Sequence, residues 1–385
     1  MKRIASIDIV RGIVMIIMAL DHVRDLMHIN SITQNPTDLS TTSPGLFFTR
    51  WITHLCAPIF VFLAGTSVYL SMRRKQHLTD TKQHLRKRGI FLLLLEFTVV
   101  NFAIFFDIKF HLLLFEVIAC IGFGFIVLSF LLHVNPRKLG IVGLFILFCH
   151  NLTALIPFGE NTIFKSILTP FFSPTAIPLF ADKTFVMGYP PIPWLGILFL
   201  GYACGVFFEL EKREQLFAKI GLSSLALFTV IRLINIYGDS QPWAPQGSAV
   251  FTFMSFMNIS KYPPSLAFGL VTLGIMFLLL ASAERLHTSV KNILKVYGKV
   301  PLFYFIVHFY VIHALTLAVL WLQGFHWAQF EFATGTFGRP SGVESGLPLW
   351  GIYVVWFVVV IMLYKPCQWY GKYKSTHKHG WLKYV

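Results

Sequence analysis

Ten long apolar segments dominate the pattern of hydrophobic and polar positions along the 385-residue chain. A helix that spans a membrane needs about 20 largely apolar residues, because it rises about 1.5 Å per residue. The segments that meet this length cover residues 5–28, 46–71, 89–107, 111–133, 138–157, 192–210, 217–236, 264–283, 300–322 and 349–364. They predict an all-α, polytopic integral membrane protein with about ten transmembrane helices, built as a single membrane domain over residues 1–385.

The composition agrees with a membrane protein and excludes a soluble one. Hydrophobic residues make up 56% of the chain and charged residues only 13%, with 40 phenylalanines. A soluble domain carries about 25% charged residues. A surface this apolar would aggregate in water, whereas lipid accepts it.

The net charge of +15 is explained by the position of the basic residues between the apolar segments. With the N-terminus in the cytoplasm, ten spans place 23 Lys and Arg residues in cytoplasmic segments and 5 in outer segments. The richest cytoplasmic segments are the loop 73–88 and the C-terminal tail 365–385. This asymmetry predicts that both termini are cytoplasmic, in the cell membrane, and it argues against a nucleic-acid partner.

The first apolar segment carries ionisable residues that lipid should exclude. Asp8, Arg11, Met18, His22 and Asp25 are separated by three, seven, four and three residues and therefore share one helical face. Asp21, Arg24 and His28 form a neighbouring stripe. Charged groups inside a membrane are costly unless they are paired or solvated, so this face is a candidate functional site.

Other segments place polar groups at a similar depth. Arg50 and His54 lie four residues apart in the second segment, Glu116 lies at the start of the fourth, and Lys261 precedes the eighth. From the rise of a helix, these groups and His22 are expected to meet at one outward-facing cavity, with His22 and His54 within about 10 Å of each other. His308, in the ninth segment, is a further candidate.

Several motifs resemble those of a known membrane family. They are IASIDIVRG (4–12), DHVR (21–24), FTRWITHLCAP (48–58), FVFLAG (60–65), KYPPS (261–265) and PLFY (301–304) with His308. Together they resemble the bacterial relatives of heparan-alpha-glucosaminide N-acetyltransferase, which are multi-pass membrane proteins. The resemblance extends over nearly the whole chain, and its most specific part is the block 4–72.

The resemblance implies acyl transfer across a membrane. The donor would be cytoplasmic acetyl-CoA, acting as a co-substrate and not as a tightly bound cofactor, and the acceptor a sugar or glycoconjugate on the other side. Arg11 and His22 also match the spacing of an Arg and a His in membrane acyltransferase family 3. The lysosomal enzyme has its proposed catalytic histidine in the first lumenal loop, and His28 is the nearest histidine to that position here.

These observations assign expected roles. His22, oriented by Asp21, would act as the general base, with His54 assisting or holding the acceptor. Arg24 or Arg50 would stabilise the oxyanion of the tetrahedral intermediate. Asp25, His28, Glu116, Lys261 and His308 would contribute to substrate binding. The phosphates of CoA would bind Arg11, Arg73, Arg74 and Arg88, and no metal site is expected.

Two other classes of protein stay open at this point. A proton-coupled transporter or a lipid or sugar flippase would use the same intramembrane His, Asp and Arg residues for binding. A membrane protein with no chemistry is the third interpretation, although the clustered charges argue against it. The expected partners are acyl-CoA, a saccharide or glycoconjugate acceptor and the lipid bilayer, and a homodimer is possible.

Overall fold

A computed structural model describes residues 4–74, 78–155, 163–333, 335–377 and 379–384. Residues 75–77 of the predicted basic loop and 156–157 of the fifth predicted segment lie outside the described residues. The described chain is mostly helical, as the apolar pattern predicts.

Fifteen α-helices follow one another along the described residues. The first eight are α1 (Ala5–Met27), α2 (Pro44–Ile52), α3 (Cys56–Arg74), α4 (Leu78–Leu95), α5 (Asn101–Phe105), α6 (Val117–Leu131), α7 (Pro136–Cys149) and α8 (Ile163–Phe172). The others are α9 (Pro191–Cys204), α10 (Arg213–Ile234), α11 (Ala249–Met257), α12 (Leu266–Ser282), α13 (Thr288–Gly298), α14 (Pro301–Leu322) and α15 (Leu349–Thr376).

Seven helical stretches among the described residues are long and apolar enough to cross a membrane. They are Pro44–Arg74, Leu78–Phe105, Pro191–Glu209, Arg213–Ile234, Leu266–Arg285, Pro301–Leu322 and Leu349–Thr376. The other three predicted segments correspond to α1, which carries five charged residues, and to the shorter helices α6 and α7. The chain is therefore a multi-pass membrane protein, and the count of ten spans stays a prediction.

Helix α1 lies at the centre of the bundle, although it is the most charged of the predicted segments. It contacts α3, α12, α13, α14 and α15. Its approach to α13 depends on glycine, because a Cβ on Gly12 would overlap the carbonyl of Leu294 and a Cβ on Gly298 would overlap the carbonyl of Asp8. Close contact through small residues is the usual way in which helices pack in lipid.

The outer helices turn apolar side chains away from the bundle. Trp350, Val354, Phe357 and Ile361 of α15 are 55–72% exposed and recur every three or four residues. Such a stripe indicates a surface in contact with lipid, since water would not stabilise it. Charged residues therefore lie on the central helix and apolar side chains on the periphery. This distribution is the reverse of that in a water-soluble helix bundle.

A small sheet is the exception to the all-α prediction. Strand β3 (Thr184–Met187) pairs in parallel with β1 (Leu112–Phe115) and antiparallel with β2 (Thr175–Pro178). Strand β1 occupies the start of the predicted fourth span, so the helix α6 begins later, at Val117. The side chain of Asn101 fixes β1 by two hydrogen bonds. It donates to the carbonyl of Leu112 (2.9 Å) and accepts from the backbone amide of Leu114 (3.0 Å).

Two regions expected to be loops are largely helical. Helix α4 begins at Leu78, so much of the predicted loop 73–88 is the first turns of a helix. Helix α15 continues to Thr376, well into the predicted tail 365–385. Sequence hydropathy misses both because charged residues extend the helices beyond their apolar parts.

The positive-charge asymmetry leads to a topology prediction that can be measured. A reporter fused to the C-terminus should read cytoplasmic, and one inserted after Ser173 should read external. A reporter placed between α6 and α7 serves as the control and should read cytoplasmic. An external C-terminus would rule out ten spans with both ends inside.

Candidate active site

Three cavities follow one another through the helix bundle. The Arg11 cavity, about 170 Å³, is lined by Arg11 and Met15 of α1. The His22 cavity, about 370 Å³, is lined by Met18, His22 and Asp25 of the same helix. The His54 cavity, about 680 Å³, includes Arg50 and His54, which precede α3. From the Arg11 cavity to the His22 cavity the lining residues rise in number along α1 and fall along α3. The fall continues to His54 and Arg50 of the third cavity, which no residue of α1 lines, so the three cavities succeed one another across the bundle.

Neighbouring cavities share walls. Phe60, Val117 and Phe305 line both the Arg11 cavity and the His22 cavity, and we call these three residues the apolar collar. Arg50, Lys261 and Tyr262 line both the His22 cavity and the His54 cavity. One boundary is therefore apolar and the other is cationic.

His22 is paired with a second histidine from a distant part of the chain. Its Nδ1 lies 2.6 Å from Nε2 of His308 in α14. The rings are stacked at 4.9 Å between centroids, and Phe309 stacks on His22 at 4.1 Å. His308 is fully buried, whereas His22 is partly exposed and lines the cavity. His308 therefore fixes the orientation of the His22 ring.

The hydrogen bonds of the pair also fix its tautomers. Nδ1 of His308 lies 3.0 Å from the carbonyl oxygen of Tyr304, and a carbonyl can only accept. In the neutral pair Nδ1 of His308 therefore carries the proton, and its Nε2 accepts from Nδ1 of His22. The remaining nitrogen of His22, Nε2, then holds a lone pair, which is the state that a general base requires.

Asp21 belongs to a separate charged network beside the histidine pair. Its Oδ1 accepts from Arg24 at 2.6 Å and from the hydroxyl of Thr53 at 2.8 Å, and it lies 3.6 Å from Nη1 of Arg50. Arg24 also donates to Asp25 at 2.7 Å. The sequence predicts that Asp21 orients the His22 ring. In the structure Asp21 makes no hydrogen bond to that ring, because consecutive helical residues point about 100° apart. His308 makes the hydrogen bond instead.

Lys261 is a cation with no carboxylate within 4 Å among the described residues. Its Nζ lies over the rings of Tyr262 (4.9 Å to the centroid) and Tyr189 (5.8 Å). Contact with two aromatic faces stabilises a buried ammonium without neutralising it. Glu116, just before α6, lines the same cavity. The side chains of Arg24, Arg50 and Lys261 formally balance those of Asp21, Asp25 and Glu116.

The His54 cavity is lined mainly by hydrogen-bonding groups, including Asn35, Asp38, Gln241 and Asn258. Its walls come from two loops that are linked to each other, because the amide of Asn258 donates to the carbonyl of Thr37 at 3.0 Å. These groups suit a hydroxyl-rich ligand.

Arg232, buried at the end of α10, organises the second of these loops. Its guanidinium donates to the carbonyls of Phe256 (2.9 Å), Ser255 (3.0 Å) and Asn258 (3.3 Å). The loop that carries Asn258 and Lys261 is thereby fixed to the helix bundle.

The structure brings together most of the residues that the sequence analysis selected. The His22 cavity is lined by Asp21, His22, Arg24, Asp25, Arg50, Glu116 and Lys261. His54 lines the neighbouring cavity. The prediction that His22 and His54 share one cavity is therefore wrong. The physical reason is that Arg50, Lys261 and Tyr262 stand between the two spaces.

The four arginines expected to bind CoA fall into two groups. Arg11 and Arg88 line the Arg11 cavity, and the guanidinium of Arg88 lies over the ring of Phe125 at 5.6 Å. Arg73 and Arg74 do not line it, and Arg73 instead bonds Glu209 at 3.1 Å. Arg73 and Arg74 lie at the end of α3, where their side chains are exposed.

His28 lies beyond the His22 cavity. It ends α1, and its carbonyl accepts from the buried Arg339 at 2.7 Å. Arg339 also donates to the carbonyl of Ile29 at 2.9 Å and the hydroxyl of Ser31 at 2.9 Å. The region around His28 thus anchors the loop before α15 to the end of α1.

Sequence reasoning missed several residues that shape the site. Tyr189, Tyr262 and Phe309 line the His22 cavity, and Thr53 bridges Arg50 and Asp21. Aromatic residues are too frequent in this chain to stand out. The one available signal was the KYPPS motif, which places Tyr262 beside Lys261.

The fold and the site define a class: a multi-pass membrane protein whose helix bundle encloses a histidine pair between two further cavities. Comparison with known proteins gives the family. The sequence model of the catalytic region of heparan-alpha-glucosaminide N-acetyltransferase matches residues 3–241, and the chain belongs to this family. The resemblance described above is therefore confirmed over residues 3–241, and it indicates a membrane acyltransferase. No curated protein matches the chain.

The matched range contains the Arg11 cavity's arginines and His22, Arg50, His54 and Glu116. Lys261 and His308 lie beyond it. The structure places both in the site, because Lys261 lines the same cavity as His22 and His308 bonds His22 directly.

Proposed function

We infer that the protein moves an acetyl or other short acyl group from cytoplasmic acyl-CoA to a hydroxyl or amine of a sugar or glycoconjugate on the outer side of the membrane. The observation that carries this proposal is the order of the cavities across the helix bundle. Two arginines line the first cavity, an imidazole with a free lone pair faces the second, and hydrogen-bonding groups line the third.

The distances suit the pantetheine arm of CoA. Arg11 and His22 are eleven residues apart on one helix, which corresponds to about 16 Å along its axis. The arm has about twelve chain atoms between its phosphate and its sulfur, equivalent to about four residues, and spans about 14 Å when extended. Phosphates near Arg11 and Arg88 would therefore leave the thioester close to His22.

In the proposed reaction, Nε2 of His22 takes the proton of the acceptor hydroxyl or amine while the acceptor atom attacks the thioester carbonyl. The tetrahedral intermediate then expels the CoA sulfur, which receives that proton. Arg50 and Lys261 are the cations best placed to stabilise the oxyanion, because Arg24 already bonds two carboxylates. The acceptor would enter through the His54 cavity, past the boundary formed by Lys261 and Tyr262.

Acyl-CoA binding tests the donor side of the proposal. Arg88→Gln removes a cation from the Arg11 cavity and should weaken acetyl-CoA binding about tenfold or more, because hydrogen bonds to charged groups contribute about 1.5–3 kcal/mol. Binding can be measured by calorimetry on the purified protein in detergent, with the acetylated product followed separately.

Arg73→Gln is the matched control, since Arg73 is also basic but bonds Glu209 outside the cavity. It should bind acetyl-CoA like the unaltered protein. Equal weakening in both variants would contradict a CoA site in the Arg11 cavity. No binding and no product in the unaltered protein would favour a transporter that uses the same charges for transport.

A further inference from the structure

A groove outside the candidate active site lies among four other helices of the bundle. It is a groove of about 480 Å³ between α7, α9, α10 and α12. Helix α7 packs on α9, and α10 packs on α12, so the groove separates two helix pairs. Its lining is apolar apart from Arg137 at one end and Ser224.

We propose that this groove binds an acyl chain of an anionic phospholipid, whose phosphate lies against Arg137. Nothing in the acyltransferase mechanism uses this groove, and the proposal does not depend on that function. The groove reaches Phe62 of α3, whereas Phe60 and Ala64 of the same helix line the Arg11 cavity. Residues two apart point to opposite sides of a helix, so α3 separates the two spaces.

The length of the groove fits one leaflet of a bilayer. Arg137 lies in the first turn of α7 and Phe148 near its end, and both line the groove. Their separation of eleven residues corresponds to about 16 Å. One leaflet contributes about half of the hydrocarbon core of about 30 Å. A chain that starts at Arg137 would therefore reach the middle of the membrane at the far end of the groove.

The surroundings of the groove point to lipid and not to a water-soluble ligand. On α7, Ile141 and Phe145 are each 66% exposed, and Leu144, which lines the groove, is 47% exposed. An apolar helix face of this kind lies in the membrane, so phospholipid chains are the molecules in contact with the mouth of the groove.

Charge selects the type of phospholipid. Arg137 and its neighbour Lys138 are exposed, and no carboxylate among the described residues is paired with Arg137. They also lie on the predicted cytoplasmic side, where anionic lipids attract basic residues by about 1 kcal/mol each. A negatively charged headgroup would complement Arg137, whereas a zwitterionic one would gain less.

The test is native mass spectrometry of the full chain in detergent, titrated with phosphatidylglycerol or phosphatidylcholine with the same acyl chains. The unaltered protein should bind phosphatidylglycerol about fivefold more tightly. Arg137→Glu should remove this preference, while Lys138→Glu, an equal charge change outside the groove, should keep it. Glycerol 3-phosphate, which has no acyl chain, should not compete at matched concentrations.

A second pair of variants tests the groove itself. Leu144→Trp adds bulk inside the groove and should weaken binding of both lipids, whereas Phe145→Trp, on the lipid face of the same helix, should not. The proposal is overturned if the two charge variants bind phosphatidylglycerol equally, or if Leu144→Trp has no effect. Loss of a dimer in Leu144→Trp with unchanged lipid binding would instead assign the groove to a second copy of the chain.

Discussion

Replacing His22 by alanine is expected to reduce acyl transfer by about 10²–10⁴-fold while leaving acetyl-CoA binding nearly unchanged. The reason is the tautomer imposed by His308, which leaves a lone pair on Nε2 of His22, the proposed base in the middle cavity. The arginines that would hold CoA lie in the other cavity, beyond the apolar collar. The measurement is kcat for transfer to a soluble acceptor, with the dissociation constant of acetyl-CoA determined on the same preparations.

His28→Asn and His54→Ala are the comparisons for this experiment. His28 lies beyond the His22 cavity, so its variant should keep near-normal activity. His54 lines the neighbouring cavity, so its variant should mainly raise KM for the acceptor. Full activity in His22→Ala would remove this histidine from the mechanism and leave His28 or His54 as the base.

His308→Leu is expected to lower kcat by about 10²-fold with little change in KM for acyl-CoA. Without the acceptor nitrogen of His308, the Nδ1 proton of His22 loses its partner, and the wrong tautomer of a catalytic histidine can cost as much as about 10⁴-fold in a serine protease. His308 touches no substrate in this scheme and acts as a positioning residue.

His308→Gln separates positioning from a purely structural role. Its side-chain oxygen can accept from Nδ1 of His22, so this variant should recover a substantial part of the activity lost in His308→Leu. The pH profile of kcat should also shift between the two variants, because only one of them restrains the His22 tautomer. Equal loss in both variants, with lower thermal stability, would show that His308 only packs.

The apolar pattern predicts the helical membrane fold because lipid leaves few alternatives to the helix. Backbone groups must bond within a segment when no water is present, so a long apolar segment becomes a helix. The same pattern cannot predict the sheet of β1, β2 and β3, whose strands are four residues each. It also places helix ends poorly, as at Leu78, where charged residues continue the helix into a predicted loop.

The site could be predicted wherever it depends on local spacing. The three- and four-residue repeats of α1 correctly place His22 and Asp25 on one face, and both line the His22 cavity.

Contacts between distant parts of the chain could not be derived from spacing. His22 and His308 are 286 residues apart, and no periodicity links them. The same holds for the wall of Arg50, Lys261 and Tyr262 that separates His22 from His54, since it joins the region before α3 to the loop before α12. A single sequence shows which residues are unusual, but packing decides which of them meet.

The apolar collar has an electrical consequence. Phe60, Val117 and Phe305 stand between the Arg11 cavity and the His22 cavity, where a barrier without charges opposes the passage of ions. Moving one elementary charge through a potential of 100 mV involves about 2.3 kcal/mol. In the proposed reaction an acyl group leaves CoA and a proton replaces it, while the acceptor loses a proton and gains the acyl group. The exchange moves no net charge across the membrane. The proposed acyl transfer is therefore electroneutral, and it neither consumes the membrane potential nor is opposed by it.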